Sequence, residues 1–220
     1  MRLSIVLAAV LMVPLAAPVF AEEWIEFTSR DDRFTCNFPG QPTIRETTFR
    51  SEYGVNLPAR VYTANVGRGR YSMTVVDYNY AEKLQAEKAR ACAAAGAVAD
   101  CRTVRGGVER WKEEIAGAIT YATWQLIQRD VKVTLLLTSW MDWVEGHHIQ
   151  LTNNADKSRT YGSIYMHENL LYIMEGTVPP GDPEPALFQQ SLGWIDENGK
   201  GVRYQSLYRN GYPAPPRVNR

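Results

Sequence analysis

Residues 170–177 have the pattern of a β-strand that is apolar on both of its faces. Alternate side chains of a strand point to opposite sides of its sheet. One side carries Leu170, Tyr172 and Met174, and the other carries Leu171 and Ile173. A strand that is apolar on both sides must be covered on both sides. We therefore expect a sheet with helices packed against each of its faces.

The first third of the chain is predicted to be a β-meander. Alternating apolar residues and turn signals predict five strands, at residues 24–30, 33–38, 43–50, 57–66 and 71–78. Pro39-Gly40 ends the second strand. The sequence GRGR, from Gly67 to Arg70, is expected to connect the last two strands as a hairpin.

Two helices are predicted next, because the apolar period changes from two to 3.6. Asn79 and Glu82 have the spacing of a capping box, and an alanine-rich stretch follows as far as Ala95. The second helix has one apolar stripe, made of Trp111, Ile115, Ala118, Ile119, Ala122 and Leu126. Glycines end the first helix and precede the second.

Four strands and a final helix complete the predicted domain. The strands lie at residues 131–140, 147–153, 159–167 and 170–177, with Glu145-Gly146 and Glu168-Asn169 as turns. The first of them is expected to place Val131, Val133, Leu135 and Leu137 on one face. Asp182-Pro183 is a helix start signal, and Gly193 ends that helix. The predicted fold is α/β of the α+β type, a mostly antiparallel sheet sandwiched between helices.

The order of these elements resembles that of the PsbP-like family, and the chain is identified as a secreted, bacterial-type member. The residues that carry the resemblance are Trp24, Phe27, Phe34, Phe38-Pro39-Gly40, Pro42, Gly146, Tyr165, Asn169, Leu171, Tyr172, Phe188 and Ser191. The resemblance implies an antiparallel sheet between helices. It also implies a non-catalytic binding or assembly factor. No binding residue of the family is carried over, because the matching positions are core and turn residues.

The N-terminal 21 residues have the features of a secretory signal peptide. Arg2 supplies a positive start, residues 5–15 form a short apolar run, and Val19 and Ala21 have the spacing that a signal peptidase recognises. Cleavage is expected after Ala21, with export to the periplasm or beyond. The predicted organisation is a signal peptide at 1–21, one domain at 22–197 and a basic, flexible tail at 198–220.

The charge and composition of the chain limit the classes of partner that it is expected to have. The precursor has 24 Lys and Arg residues against 24 Asp and Glu residues, so its net charge makes no case for nucleic acid as a partner. After residue 21 no apolar run is long enough to span a membrane. We expect a monomer without cofactors that has a protein partner in the cell envelope.

The chain has three cysteines, and an oxidising compartment favours a disulfide between two of them. Cys92 and Cys101 flank a short stretch of small residues and are the expected pair. This bridge would contribute roughly 2–3 kcal/mol on the chain-entropy model. Cys36 lies between Phe34 and Phe38 in a predicted strand and is interpreted as a buried free thiol.

The three histidines raise the question of a metal site, but the strand geometry argues against one. His147 and His148 are neighbours on a strand and therefore point to opposite faces. If Thr152 pairs with Arg159, His148 lies opposite Ser163. His167 is then about 13 Å further along the strand, beyond the reach of one shared zinc ion. We expect no metal site and ordinary polar histidines.

No catalytic constellation is predicted. The chain has no G-x-S-x-G sequence, and its candidate serines lie inside predicted elements. The GRGR sequence lacks the lysine and the helix of a phosphate-binding loop. It is interpreted as a hairpin tip, where Arg68 and Arg70 could contact an acidic partner. Trp140 and Trp143 are interpreted either as core residues at the end of the sheet or as a partner-facing aromatic patch.

The function expected from these features is that of an exported, non-catalytic binding or assembly protein of the cell envelope. The alternative is a periplasmic, hydrolase-like enzyme that uses His147 or His148 with a nearby carboxylate. A concave pocket with a paired histidine would favour the enzyme.

Overall fold

The computed structural model describes residues 23–95 and 110–218 of the 220-residue chain. The predicted signal peptide and Cys101 lie outside the described residues. The described strands are β1 (Trp24–Ser29), β2 (Phe34–Pro39), β3 (Thr43–Arg50), β4 (Asn56–Val66), β5 (Gly69–Asp77), β6 (Val131–Met141), β7 (Val144–Asn153), β8 (Arg159–His167), β9 (Leu170–Val178), β10 (Gly193–Ile195) and β11 (Gly201–Val202). The described helices are α1 (Ala81–Ala95), α2 (Arg110–Ile127) and α3 (Ala186–Gln189).

The strands form two antiparallel sheets, so the fold is mixed α+β. The larger sheet has the order β3-β4-β5-β9-β8-β7-β6, and the smaller has the order β1-β2-β10-β11. The predicted register between β7 and β8 is confirmed, because Thr152 pairs with Arg159 and His148 pairs with Ser163. The tight β8–β9 turn is also confirmed, since Glu168 and Asn169 both have the positive φ of a left-handed turn.

β9 is buried on both faces, as its sequence predicts. On one face of the large sheet, the core lies beneath α1 and α2 and includes Leu57, Ala118, Ala122, Leu126, Ile149, Ile164, Leu171 and Ile173. On the other face, the core lies beneath the small sheet and α3 and includes Phe34, Phe38, Tyr62, Tyr165, Tyr172, Met174, Phe188 and Trp194. The two cores together enclose the central strands.

The expectation of helices on both faces is wrong in one respect, because the small sheet covers much of the second face. The final helix, predicted from Asp182, has only four residues. Pro183 and Pro185 explain this difference, since each proline lacks an amide donor and disfavours helical backbone in the residue before it. The aromatic side chains of β2 and β10 supply most of the cover instead.

The large sheet curves around α2. Tyr121 of α2 contacts Phe49 of β3, with ring centroids 6.2 Å apart. Thr123, two residues later, is 2.9 Å from His147 of β7. On a flat sheet the β3 and β7 strands would be about 24 Å apart. Both contacts require a sheet that is concave toward the helix. The concave face continues past the end of α2, where no helix of the described residues covers it.

Two turns differ from their predictions. The first turn is formed by Asp142 and Trp143, both with positive φ, whereas the predicted Glu145-Gly146 turn lies inside β7. A side chain at Gly146 would collide with the Tyr165 ring and the Ile164 carbonyl, so this glycine permits close packing. The β4–β5 hairpin has Val66 paired with Gly69, which makes its turn two residues long.

Residues 198–218 pack against the domain, contrary to the prediction of a flexible tail. Tyr204 and Tyr208 are buried, and their rings stack with centroids 4.8 Å apart. The Tyr204 hydroxyl is 2.7 Å from Nε2 of His167. The basic and proline-rich composition pointed to a tail, but two aromatic anchors outweigh it by burying apolar area.

Candidate functional site

The most exposed apolar feature of the described residues is β6, an edge strand of the large sheet. It pairs with β7 and has no neighbour on its other side within the described chain. Its exposed large apolar side chains, together with Trp143 in the following turn, are Val133, Leu136, Leu137, Trp140 and Trp143. We refer to these five residues as the β6 edge.

A β-bulge distributes the apolar side chains of β6 over both faces. The pairing with β7 shifts by one residue between Val133 and Leu135. A shift of one residue moves all later side chains to the opposite face. Val133 and Leu137 therefore lie on different faces, and the predicted single face for Val131 to Leu137 is wrong. The bulge leaves apolar groups exposed on both sides of this edge.

The two tryptophans at the end of β6 are exposed. Trp140 is 61% exposed and Trp143 is 48% exposed, so the interpretation of these rings as core residues is wrong. The intervening Met141 is partly buried, and its carbonyl accepts a 3.0 Å hydrogen bond from Nε1 of Trp194. The turn is therefore anchored to the core while its aromatic rings face outward.

The C-terminal segment holds this turn in place. The Arg209 guanidinium is 2.6 Å from the Glu145 carboxylate, and Arg203 lies 3.5 Å from Asp142. The Glu145 amide donates a 3.0 Å hydrogen bond to the Tyr208 carbonyl. These contacts immobilise the backbone that carries Trp140 and Trp143, so the exposed rings project from a fixed scaffold.

The two arginines of GRGR occupy different surroundings. Arg68 lies in the exposed β4–β5 turn. Arg70 lies on β5 and lines a polar cleft of about 420 Å³ on the concave face of the large sheet. The structure does not bring Arg68 and Arg70 together with Trp140 and Trp143 into one surface. Arg70 lies on β5, which is four strands away from β6 in the sheet order, and pairs with Thr177 of the neighbouring β9.

His147 and His148 point to opposite faces, which confirms the strand geometry predicted for them. His147 Nδ1 is 2.9 Å from the Thr123 hydroxyl, beneath α2. His148 Nε2 is 3.0 Å from the Gln189 amide, beside α3. Burial lowers the pKa of His147, and the nearby Glu145 carboxylate opposes that shift. In the described residues no hydrogen bond joins either ring to a carboxylate.

His167 is fully buried, whereas the sequence suggested an ordinary polar histidine at a strand end. Its ring lies between Trp194 and Tyr208, at centroid distances of 4.9 and 5.0 Å. Burial lowers its pKa to about 4. Strand alternation places His167 on the same face as Tyr165, which is the signal that could have indicated its burial.

Within residues 23–95 and 110–218, no group of three or more His, Cys, Asp or Glu side chains is arranged to hold a metal ion. None of the helices in these ranges has the length and apolar content needed to cross a bilayer.

Cys36 is a free, fully buried thiol, as predicted. Its sulfur lies 3.3 Å from the Ser191 hydroxyl, and burial raises the pKa of the thiol to about 12. Ser191 also accepts a 2.8 Å hydrogen bond from the Asn37 amide, which links the segment after α3 to β2. The expected bridge between Cys92 and Cys101 lies outside the described residues, because Cys101 does, and stays a prediction.

Comparisons with known proteins show a likeness at the level of the fold. No family model matches the chain, and no curated protein matches it. The chain is similar to the solution structure of cyanobacterial PsbP (CyanoP) from Synechocystis sp. PCC 6803, with 11% sequence identity and a TM-score of 0.37. The similarity covers 76% of this chain and 88% of that chain. A likeness of this extent establishes no family, so the PsbP-like resemblance stays a prediction.

Proposed function

We propose that the protein is an exported, non-catalytic binding protein of the cell envelope, and that it contacts a protein partner through the β6 edge. The observation that carries the proposal is the exposure of Trp140 and Trp143 beside an edge strand that no other described strand pairs with on its outer side. Export rests on the sequence of residues 1–21, and the accessory role agrees with the resemblance to the PsbP-like family.

The backbone of β6 supports partner binding. An edge strand presents unpaired amide and carbonyl groups that another chain can pair with. Proteins usually protect long edges with prolines, charges or covering segments. The β6 strand has eleven residues, no proline and one charged residue, Lys132. Within the part of the chain that the structure describes it is therefore unprotected, and an extended segment of a partner can add to it as a further strand.

The exposed side chains of the β6 edge support partner binding as well. Exposed large apolar side chains that cluster in one region mark interaction sites on proteins, and those of β6 cluster along one edge, on both of its faces. Tryptophan is enriched among the residues that contribute most to binding free energy. Trp140 lies on the strand, and Trp143 lies in the turn fixed by the C-terminal segment. A partner strand along β6 would therefore meet a preorganised aromatic contact at one end.

The enzyme alternative has no comparable support. His147 and His148 face different layers of the fold and are hydrogen-bonded to Thr123 and Gln189. The carboxylate nearest in sequence, Glu145, is paired with Arg209. A general base needs a partner group and a substrate within hydrogen-bond reach, and this arrangement supplies neither.

The test is photo-crosslinking from the edge in an envelope extract. A photoreactive residue replaces Leu137, which is exposed on β6. We expect a discrete crosslinked species that is lost when the same protein carries Trp140→Ala. The matched control is Trp124→Ala, which removes a tryptophan of similar exposure from α2.

Retention of the species by the Trp124→Ala protein and its loss from the Trp140→Ala protein would support the proposal. Equal capture by the photoreactive parent protein and by its Trp140→Ala and Trp124→Ala variants would show that the edge does not select the partner. Absence of any crosslink, together with turnover of a substrate by the purified protein, would overturn the proposal in favour of an enzyme.

A further inference from the structure

We infer that the polar cleft on the concave face of the large sheet is a binding site for a small sugar acid, a hydroxyl-rich molecule with one carboxylate. The cleft has a volume of about 420 Å³, within the range of small-molecule sites. The side chains that line it come from β4, β5, β7, β8, β9 and the segment after α2, and include Thr63, Asn65, Arg70, Ser72, Arg129, Asn153, Thr160, Glu175 and Thr177.

The floor of the cleft is built from two rows of paired residues. Strand register places Asn65, Arg70, Thr177 and Thr160 side by side on four adjacent strands. The same register places Thr63, Ser72 and Glu175 in the next row. Every member of both rows is polar, although apolar residues occupy the same face further along these strands, beneath α2. The change from apolar to polar occurs where α2 ends.

Hydrogen bonds fix several of these side chains in place. The Thr160 and Thr177 hydroxyls are 2.8 Å apart. The side-chain amide of Asn153 donates a 3.1 Å hydrogen bond to the Thr160 hydroxyl. Glu175 accepts two hydrogen bonds from the Arg129 guanidinium. The floor is therefore preorganised, which lowers the entropy cost of binding.

The charge of the cleft selects an anion. Arg129 neutralises Glu175 through their paired contact. Arg70 is exposed and has no ion-pair partner within the described residues. Among the charged groups of the lining, Arg70 is therefore the one outside a direct ion pair, although its charge helps to lower the pKa of the neighbouring Asp156 carboxylate, which does not line the cleft. A guanidinium binds a carboxylate through two parallel hydrogen bonds, so one carboxylate is the matching group.

The remaining lining groups select hydroxyls. Threonine and serine hydroxyls and asparagine amides both donate and accept hydrogen bonds. A ligand with several hydroxyl groups offers the same double capacity, whereas an apolar ligand would leave these groups unpaired at a cost of about 1–3 kcal/mol each. A free sugar acid and a uronic acid unit of a polysaccharide share this chemistry.

The test is a titration of the mature protein with glucuronate, in which binding is measured from the backbone amide chemical shifts in NMR spectra. We expect glucuronate to cause saturable amide shifts on β5 and β9. Glucose and acetate should each bind with an affinity at least about tenfold lower than that of glucuronate. A titration with a diglucuronate distinguishes the two sources, because tighter binding of the disaccharide indicates a polysaccharide.

Two arginines of one hairpin provide the matched variants. Arg70→Gln should weaken glucuronate binding at least about tenfold, since a charge-assisted pair is lost. Arg68→Gln removes the same charge two residues away, outside the cleft, and should leave the affinity within about twofold. Both side chains are exposed, so both variants should fold, and Asn65→Ala tests the same cleft without a charge change.

Equal weakening by Arg68→Gln and Arg70→Gln would show that only diffuse positive charge attracts the ligand, and would overturn the proposal. Absence of saturable shifts with both glucuronate and diglucuronate would also overturn it. The β6 edge is not used in this experiment, so these outcomes are independent of the proposed partner binding.

Discussion

The backbone amide of Tyr208 donates a 2.8 Å hydrogen bond to the carbonyl of Trp143. This contact joins the buried anchor of the C-terminal segment to the exposed turn of the β6 edge. A β-bridge between Val144 and Tyr208 extends the same connection. The C-terminal residues are therefore part of the support for the proposed contact surface, although they contribute none of its exposed rings.

Replacement of Tyr208 should destabilise the protein. Tyr208→Ala removes a buried aromatic ring and a hydroxyl that accepts a 2.9 Å hydrogen bond from the Glu168 amide. We expect the free energy of unfolding to fall by about 3 kcal/mol in urea denaturation. Tyr212→Ala, at a ring that is 71% exposed, should change it by less than about 0.5 kcal/mol. Equal effects would contradict the packing of this segment.

His167 should make the protein less stable in mild acid. Burial lowers its pKa in the folded state to about 4, against the ordinary histidine value of 6.5. Between these values the unfolded chain binds a proton that the folded protein does not, so the free energy of unfolding decreases as pH falls through this window. The loss is on the order of 3 kcal/mol and is complete once the pH is below the folded-state value.

The His167 contribution is measured by comparing urea unfolding of the native protein and of His167→Phe at pH 7.5 and pH 4. The substitution leaves the carboxylates unchanged, so the difference between the two pH dependences isolates this ring. The variant should lose less stability on acidification than the native protein does. An identical loss in both proteins would show that the buried ring does not resist protonation.

Two adjacent aspartates should differ sharply in their contribution to stability. Asp32 is buried and accepts hydrogen bonds of 2.5 Å from both the Tyr62 hydroxyl and Nη2 of Arg60. Asp32→Ala should lower the free energy of unfolding by about 3–5 kcal/mol, because it leaves buried polar groups without their partner.

The control for Asp32 is Asp31, whose side chain is 82% exposed and lies 3.6 Å from Arg60. Asp31→Ala should change the free energy of unfolding by less than about 1 kcal/mol. Both variants can be compared by urea denaturation at one pH. A larger effect of Asp31→Ala would contradict the assignment of the buried network to Asp32.

The cysteines should behave as one protected thiol and one bridge. Burial and the raised pKa of Cys36 predict no alkylation of the native protein at pH 8, and complete alkylation of this residue in denaturant. Non-reducing mass spectrometry of the mature protein should recover Cys92 linked to Cys101. Recovery of those two residues as alkylated peptides without reductant would refute the bridge.

Local patterns were sufficient to predict most elements and one register. The period-two and period-3.6 segments predicted nine strands and two helices at nearly their observed positions, because side-chain alternation is a property of the chain itself. The pairing of Thr152 with Arg159, assumed from the sequence across the turn at residues 153–158, is the pairing observed between β7 and β8. The confirmed separation of His147 from His148 depends on the same local geometry.

The polar cleft and the β6 edge were harder to predict, because each depends on what covers a face. The apolar pattern of β6 is compatible with a core strand, and the bulge beside Thr134 that exposes both faces leaves no periodic signal in the sequence. Arg70 and Glu175 are remote in sequence and meet in one cleft only because β5 pairs with β9. Their shared site is a consequence of the strand order.

The amino-acid sequence by itself determined that β9 must be enclosed on both faces, since its own side chains are apolar on both. Only the tertiary structure decided what encloses it. Helices cover one face, whereas short aromatic strands from the two ends of the domain cover the other. The physical reason is that burial of apolar area is non-directional, so many partners could satisfy β9. Pairing between strands that are distant in sequence determined which segments cover β9, and the tertiary packing also placed His167 and Tyr208 in the interior.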